Sequence, residues 1–340
     1  MSRTWSIVAL CLALAACNRQ PPAVEPAAVP ATVTSADNGG AISSPAVASK
    51  PLTADMLEGT KWPPATVTSG EATISCDTDY ATAGDGAPLV NLEYFSVLDA
   101  MDGCRESGVV RLHYHGKISA DFADLVQRVA AMAERMDIGK RILDLDSTGG
   151  QVEDGIRAGD SIGATHWTVW VREGSVCHSA CVFILAAGDN RLVSGQVGIH
   201  RIIRLHSDAT TRAELEQELR SVHDQIKDYL ARNGVDIAVA DMMMSVPSRD
   251  LRLLTADELR MYGLSGSNPV QDDLERIGLA RKCGEDFVHR KEAFMHAFER
   301  KCAASGDDVG KMSDCGVELR QRYGFPDRRC PDQSPLSEYD

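Results

Sequence analysis

The sequence predicts an α/β fold with a mostly parallel sheet, followed by a small helical extension stapled by disulfides. Three observations lead there. From residue 108 onward, β-rich runs alternate with amphipathic helical runs, the pattern of parallel strands joined by crossover helices. The short strand runs end in loops of small and polar residues, STGG (147–150) and REGSVCHS (172–179). The tail from about residue 270 is charged and helical in pattern, and it carries Cys283, Cys302, Cys315 and Cys330.

In chain order, VVRLHYH (109–115) reads as the first strand of the alternation. SADFADLVQRVAAMAERM (119–136) is its crossover helix, with Phe122, Leu125, Val126, Val129 and Met136 on one face behind a Ser119 cap. RILDLDS (141–147), QVEDGIRAGDSIG (151–163) and WTVWV (167–171) repeat the cycle as strand, helix and strand. ACVFILAA (180–187) is an apolar helix, and LEQELRSVHDQIKDYLARNG (215–234) is an amphipathic one stopped by Asn233 and Gly234. TADELRMYGL opens with Thr255 and Glu258 at capping-box spacing and ends at Gly263. This places the α/β domain at 108–268, a lead-in segment at 53–107 and the cysteine-bearing tail at 269–340.

The N-terminus specifies a compartment. MSRTWSIVALCLALAAC pairs a positive Arg3 with an apolar run too short to span a bilayer, as in a secretion signal. Leu14, Ala15, Ala16 and Cys17 resemble the lipobox of bacterial lipoproteins, which implies cleavage before Cys17, lipidation there, and a periplasmic lipoprotein of the bacterial cell envelope; a plain signal peptide is the competing reading. Asn18 in place of Asp points to the outer membrane. Residues 18–52 are rich in Ala, Pro, Val, Ser and Thr and read as a disordered tether. The net charge of −14 excludes a nucleic-acid partner, since nothing would offset phosphate repulsion.

Export also accounts for the cysteines. Beyond Cys11 and Cys17 eight remain, an even number suited to disulfides. The expected pairs are local: Cys76 with Cys104, and the last four among themselves, where zinc competes but finds no CxxC spacing. Cys177 and Cys181 are either a short disulfide or two buried thiols.

The chemistry centres on GSVCHSACVFILAAG (174–188). A serine hydroxyl needs a base to take its proton, a group to orient that base and donors for the oxyanion. Ser179 stands where a turn of small residues meets an apolar helix, so its hydroxyl and the Ala180 N–H would project from the helix start. Gly150 in STGG offers a second donor, because a glycine lets the backbone approach a ligand.

The order strand, STGG, helix, strand, GSVCHSA, apolar helix and then GIH resembles the proteolytic subunit of Clp protease, within the Clp/crotonase superfamily of repeated ββα units. The resemblance implies Ser179 as nucleophile, His200 in QVGIHRI as base, Gly150 and Ala180 as oxyanion donors, a peptide or protein substrate and no cofactor or metal. It also implies a homo-oligomer. SRDLRLLTADELRMYGL reproduces the family's frame for the third triad member with Asp250, at a spacing to Thr255 one residue longer than in that family. His178 is adjacent to Ser179, but neighbouring side chains at a helix start diverge, which ranks His200 above it as the base.

Two rival functions stand beside the serine peptidase. One is a noncatalytic envelope scaffold keeping the same fold, motivated by the shifted spacing near Asp250 and by Cys177 and His178 in the turn. The other is an acyl-CoA enzyme of crotonase type, which suits an exported lipoprotein poorly. Ser179 alone also fits a plain helix cap. His113 and His115 share a strand face but lack a third metal ligand, and read as polar sheet residues. Asp144 and Asp146 read as polar-side or strand-end residues, His206 and His223 as surface residues, and Met242 to Met244 as core packing.

Overall fold

A computed structural model describes residues 32–34, 42–43, 52–204, 207–247, 250–303 and 309–337. The strands are β1 (Thr32–Thr34), β2 (Ile42–Ser43), β3 (Gly70–Ser75), β4 (Ala87–Pro88), β5 (Val109–Gly116), β6 (Lys140–Asp146), β7 (Trp167–Val171), β8 (Val176–His178), β9 (Asn190–Val193), β10 (Gln196–Ile199), β11 (Ile203–Arg204), β12 (Asp250–Leu253) and β13 (Gly266–Ser267). The helices are α1 (Ala54–Glu58), α2 (Tyr80–Ala83), α3 (Tyr94–Met101), α4 (Cys104–Ser107), α5 (Ala120–Arg135), α6 (Val152–Ala164), α7 (Cys181–Ala187), α8 (Arg212–Arg232), α9 (Ala238–Ser245), α10 (Ala256–Met261), α11 (Pro269–Cys283), α12 (Glu285–Lys301) and α13 (Val309–Arg322).

The alternation read from the sequence is a seven-stranded sheet in the order β13-β9-β7-β6-β5-β3-β4. Its centre, β5, β6, β7 and β9, is parallel, because crossover helices return the chain to the same end of the sheet each time. The edge strands β3, β4 and β13 pair antiparallel. Helices α5, α6 and α7 pack side by side. Their buried faces include Phe122, Val126, Val152, Ile162 and every residue of α7, which join the strand residues Leu112, Leu143 and Val169 in one core. Residues that alternate in and out along β7 as buried and half-buried follow the period of two expected of a strand.

A second sheet, β1-β12-β10-β8, crosses the carboxyl end of the first, so that successive strands β7, β8, β9 and β10 alternate between the two sheets. The sequence reading of 172–179 as a plain loop is corrected here: three of its residues form β8. A strand of three, holding Cys177 and His178 rather than an apolar run, has no periodicity to detect.

The boundary expected at residue 108 also moves. β3 pairs with β5 along its whole length, and Trp62, Leu92 and Val97 are buried in the main core, so the lead-in segment is part of the α/β body. Within the stretch read as a disordered tether, Thr32–Thr34 pairs with β12 and Ile42–Ser43 with β11. Cys17 and His206 lie outside the described residues. The tail has its own small core, with Phe287, Phe294, Leu319 and Phe325 around Cys283, Cys302 and Cys330.

Four disulfides join Cys76 to Cys104, Cys177 to Cys181, Cys283 to Cys330 and Cys302 to Cys315. The pairing expected for Cys76 and for the last four is present, and Cys177 and Cys181 take the disulfide alternative. The capping box expected at Thr255 with Glu258 forms, and another forms at Thr211 with Glu214. Ser119 occupies the N-cap of α5 without capping it; its hydroxyl bonds Asp121 instead. Among the described residues no helix is long and apolar enough to cross a membrane.

Candidate active site

The site forms where β6 ends. Asp146, the last residue of that strand, accepts the Val176 N–H at 2.9 Å. Ser147 donates its N–H to the Val176 carbonyl oxygen at 2.7 Å, and its own carbonyl oxygen accepts from His178 N–H at 2.9 Å. These bonds lay β8 over the end of β6 and press the STGG loop against the turn that follows. β8 also pairs in parallel with β10, with His178 beside Gly198. The Ser179 N–H then donates to the Gly198 carbonyl oxygen at 2.8 Å, and the Cys177–Cys181 disulfide closes the turn from β8 into α7.

Ser179 pays twice for this position. Its backbone has a φ of +61°, a left-handed conformation that costs an L-residue about 1–2 kcal/mol. It is also fully buried, and its Oγ has no hydrogen-bond partner, which costs about 1–3 kcal/mol more. Gly149, with a φ of +99°, backs directly onto it: a Cβ there would lie 2.6 Å from Ser179 Cβ and 3.0 Å from its Oγ. Gly150 backs onto Ile118, where a Cβ would meet the carbonyl oxygen at 2.0 Å. Among the described residues neither the Gly150 N–H nor the Ala180 N–H has an acceptor.

His200 follows β10, two residues beyond the Gly198 that holds Ser179. It is 3% exposed, and its Nδ1 lies 3.4 Å from the Arg201 carbonyl oxygen. His178 packs against Gly198 on the same strand pair. Burial pushes its imidazole down to about 4, with the charge of His200 adding to the effect, and its buried Nε2 has no hydrogen-bond partner. His178 and Ser179 therefore do not bond each other, as expected for neighbours whose side chains diverge.

The structure sets the Gly149–Gly150 loop against the turn of Ser179 and Ala180, with Gly149 in direct approach to Ser179, and places His200 just past the end of β10. No hydrogen bond or ion pair joins Asp250 to His200 among the described residues. Asp250 is half-buried at the head of β12, and its carboxylate has no hydrogen bond or ion pair among the described residues. The antiparallel register pairs Ile199 with Arg252, so its continuation sets Leu251, not Asp250, opposite His200. Gly149 is the residue that sequence reasoning passed over. The signal was in STGG, where two adjacent glycines offer two close approaches and Gly150 alone had been given a role.

The remaining candidates fall outside this centre. His113 lies 3.9 Å from Asp85 and His115 bonds Asp146 at 2.8 Å. Asp144, expected on a polar side, is instead fully buried, because Arg111 and Arg172 reach it at 3.3 and 3.0 Å. His223 bonds Asp241, and Met243 is buried in the core while its two neighbours are partly so. Among the described residues one group brings metal-ligand atoms within 4.8 Å of one another, namely His166, Asp189 and Glu275. It sits at the amino ends of β7 and β9, away from the strand ends that carry Ser179.

Fold and site together define an α/β protein whose mostly parallel sheet carries, at its strand ends, a buried and strained serine flanked by glycines. No family model and no curated protein matches the sequence. Among solved structures the chain is similar to a mutant form of the 1510-N membrane-bound stomatin-specific protease. That match has a TM-score of 0.37 and 16% identity, over 49% of this chain and 82% of that chain.

Proposed function

We propose that the protein is a serine hydrolase of Clp-protease-like fold acting on peptides, held in the bacterial envelope by a lipid on Cys17, with the outer membrane as its anchor. The observation that carries the reading is Ser179. A left-handed backbone and a buried, unbonded hydroxyl cost stability and return none, and such costs collect where chemistry needs a group held ready. Four disulfides support an oxidising compartment.

In this mechanism Ser179 Oγ attacks a peptide carbonyl carbon while His200 takes the hydroxyl proton. The Gly150 and Ala180 N–H groups, which have no acceptor among the described residues, hold the oxyanion that forms. His200 then returns the proton to the leaving amine, and water repeats the cycle to release the acyl group. His200 Nδ1 lies next to the Arg201 carbonyl oxygen, and Nε2 is the nitrogen that takes the proton in this mechanism. Asp250 takes the role of orienting His200 in this mechanism through the sequence resemblance. Homo-oligomerisation belongs to the same proposal through the sequence resemblance.

Replacing Ser179 by Ala, and separately His200 by Ala, should abolish both labelling by a fluorophosphonate probe and hydrolysis of an unstructured protein substrate. Undiminished labelling in either variant overturns the assignment. The noncatalytic scaffold is favoured by one specific observation: Ser179 Oγ bonds no His200 nitrogen. It predicts that the wild-type protein is never labelled.

A further inference from the structure

The segment Ile42–Ser43 lies against the Gly150 loop of the candidate site. The Ile42 N–H donates to the carbonyl oxygen of Gly150 at 2.9 Å, and Ile42 bridges Gln151 in parallel. On its other side the segment pairs in parallel with β11, Ile42 with Ile203 and Ser43 with Arg204. It is therefore a strand laid between two chain edges, one of which is the Gly150 proposed to hold the oxyanion.

Side chains fix it there. Ser43 is fully buried, although it lies in a stretch of small residues with no apolar pattern. Its hydroxyl donates to Glu153 Oε1 at 2.5 Å and accepts from Arg204 Nη1 at 2.7 Å. Arg204 also bonds Glu218 at 3.2 Å, which ties the contact to α8. Backbone pairing takes any sequence, whereas a pocket walled by Glu153 and Arg204 admits a small side chain able both to donate and to accept.

We propose that the groove between Gly150–Gln151 and Ile203–Arg204 binds one extended strand of polypeptide with a small hydroxyl residue in the Glu153–Arg204 pocket, and that Ile42–Ser43 of this chain occupies it in the resting state. The proposal rests on the serine-hydrolase reading and adds to it a substrate binding mode, a side-chain preference and an intramolecular occupant. While the segment is seated the groove is closed, and substrate must displace it.

The test uses the full-length protein and two readouts. Hydrogen exchange reads whether the groove is occupied, independently of catalysis: the Ile42 amide is protected in the wild type and exchanges at the open-chain rate in Ser43→Asp, where a carboxylate faces Glu153. The rate of fluorophosphonate labelling at Ser179 reads the consequence: Ile42→Pro, which removes the donor to Gly150, and Ser43→Asp each label roughly tenfold faster than wild type, the factor expected from losing one or two strand hydrogen bonds. An unprotected Ile42 amide in the wild type overturns the occupancy. Labelling that occurs at the same rate in all three proteins overturns the occlusion and leaves the hydrolase intact. No labelling in any of them, with Ile42 protected, overturns the hydrolase and the occlusion that rests on it.

Discussion

Replacing Ser179 by Ala is expected to stabilise the protein, the opposite of what trimming a packed buried side chain does. The hydroxyl is fully buried without a partner, so its removal recovers the desolvation cost of an unsatisfied polar group, about 1–2 kcal/mol. Ala keeps the left-handed backbone strain at φ +61°; Gly releases that as well, offset in part by its greater unfolded-state entropy, for a total of about 2 kcal/mol. For a body of this size each kcal/mol moves the melting temperature by about 2–4 °C. The assay is thermal and urea unfolding with the disulfides intact, followed by the fluorescence of the buried Trp62 and Trp167. A loss of about 1 kcal/mol or more in Ser179→Ala refutes the reasoning, because it would mean that the hydroxyl is bonded and structural.

Further outcomes test the surroundings. Gly149→Ala forces a Cβ to 2.6 Å from Ser179 Cβ at a φ of +99° and should abolish probe labelling while costing about 2–3 kcal/mol in an unfolding curve. Asp144→Ala removes one of the two carboxylates that face the fully buried Arg111, Asp85 remaining at 3.2 Å, and should cost about 1–3 kcal/mol by the same measurement. His178 resists protonation when folded down to about 4 but takes up its proton near 6.5 when unfolded. Unfolding measured against pH should therefore show stability falling by about 3 kcal/mol as the pH drops through that window, a slope that His178→Phe removes. Replacing both Cys283 and Cys330 by Ser opens a link between residues 47 apart and should destabilise the tail by about 4 kcal/mol, read as earlier proteolysis of 269–340 with labelling of Ser179 unchanged.

Strands β5, β6 and β7 were legible as β-rich runs between helical ones, and an apolar period of 3.6 residues over α5 or α8 cannot be mistaken for a strand; β9, which leads straight into β10, carries no such signal. The second sheet was not, because β8, β10 and β12 are three or four residues long and their pairing depends on contacts distant in sequence. Ser179 and Gly150 could be found from local glycine and serine chemistry. Their partner Gly149 needed the fold, since only three-dimensional approach distinguishes one glycine of the pair from the other. Asp250 shows the reverse: a frame that matches a known motif in one dimension, and a carboxylate that makes no hydrogen bond or ion pair among the described residues. Ile42 and Ser43 were hidden by composition, because a strand held by backbone bonds and one buried hydroxyl leaves no apolar pattern in the chain.

The central claim is that Ser179 is a nucleophile. Its most direct test is to treat the full-length protein and its Ile42→Pro variant with a fluorophosphonate and map the adduct by peptide mass spectrometry. The account predicts one adduct, on Ser179, in both proteins and more rapidly formed in the variant; an adduct on any other residue, or none in either protein, contradicts it.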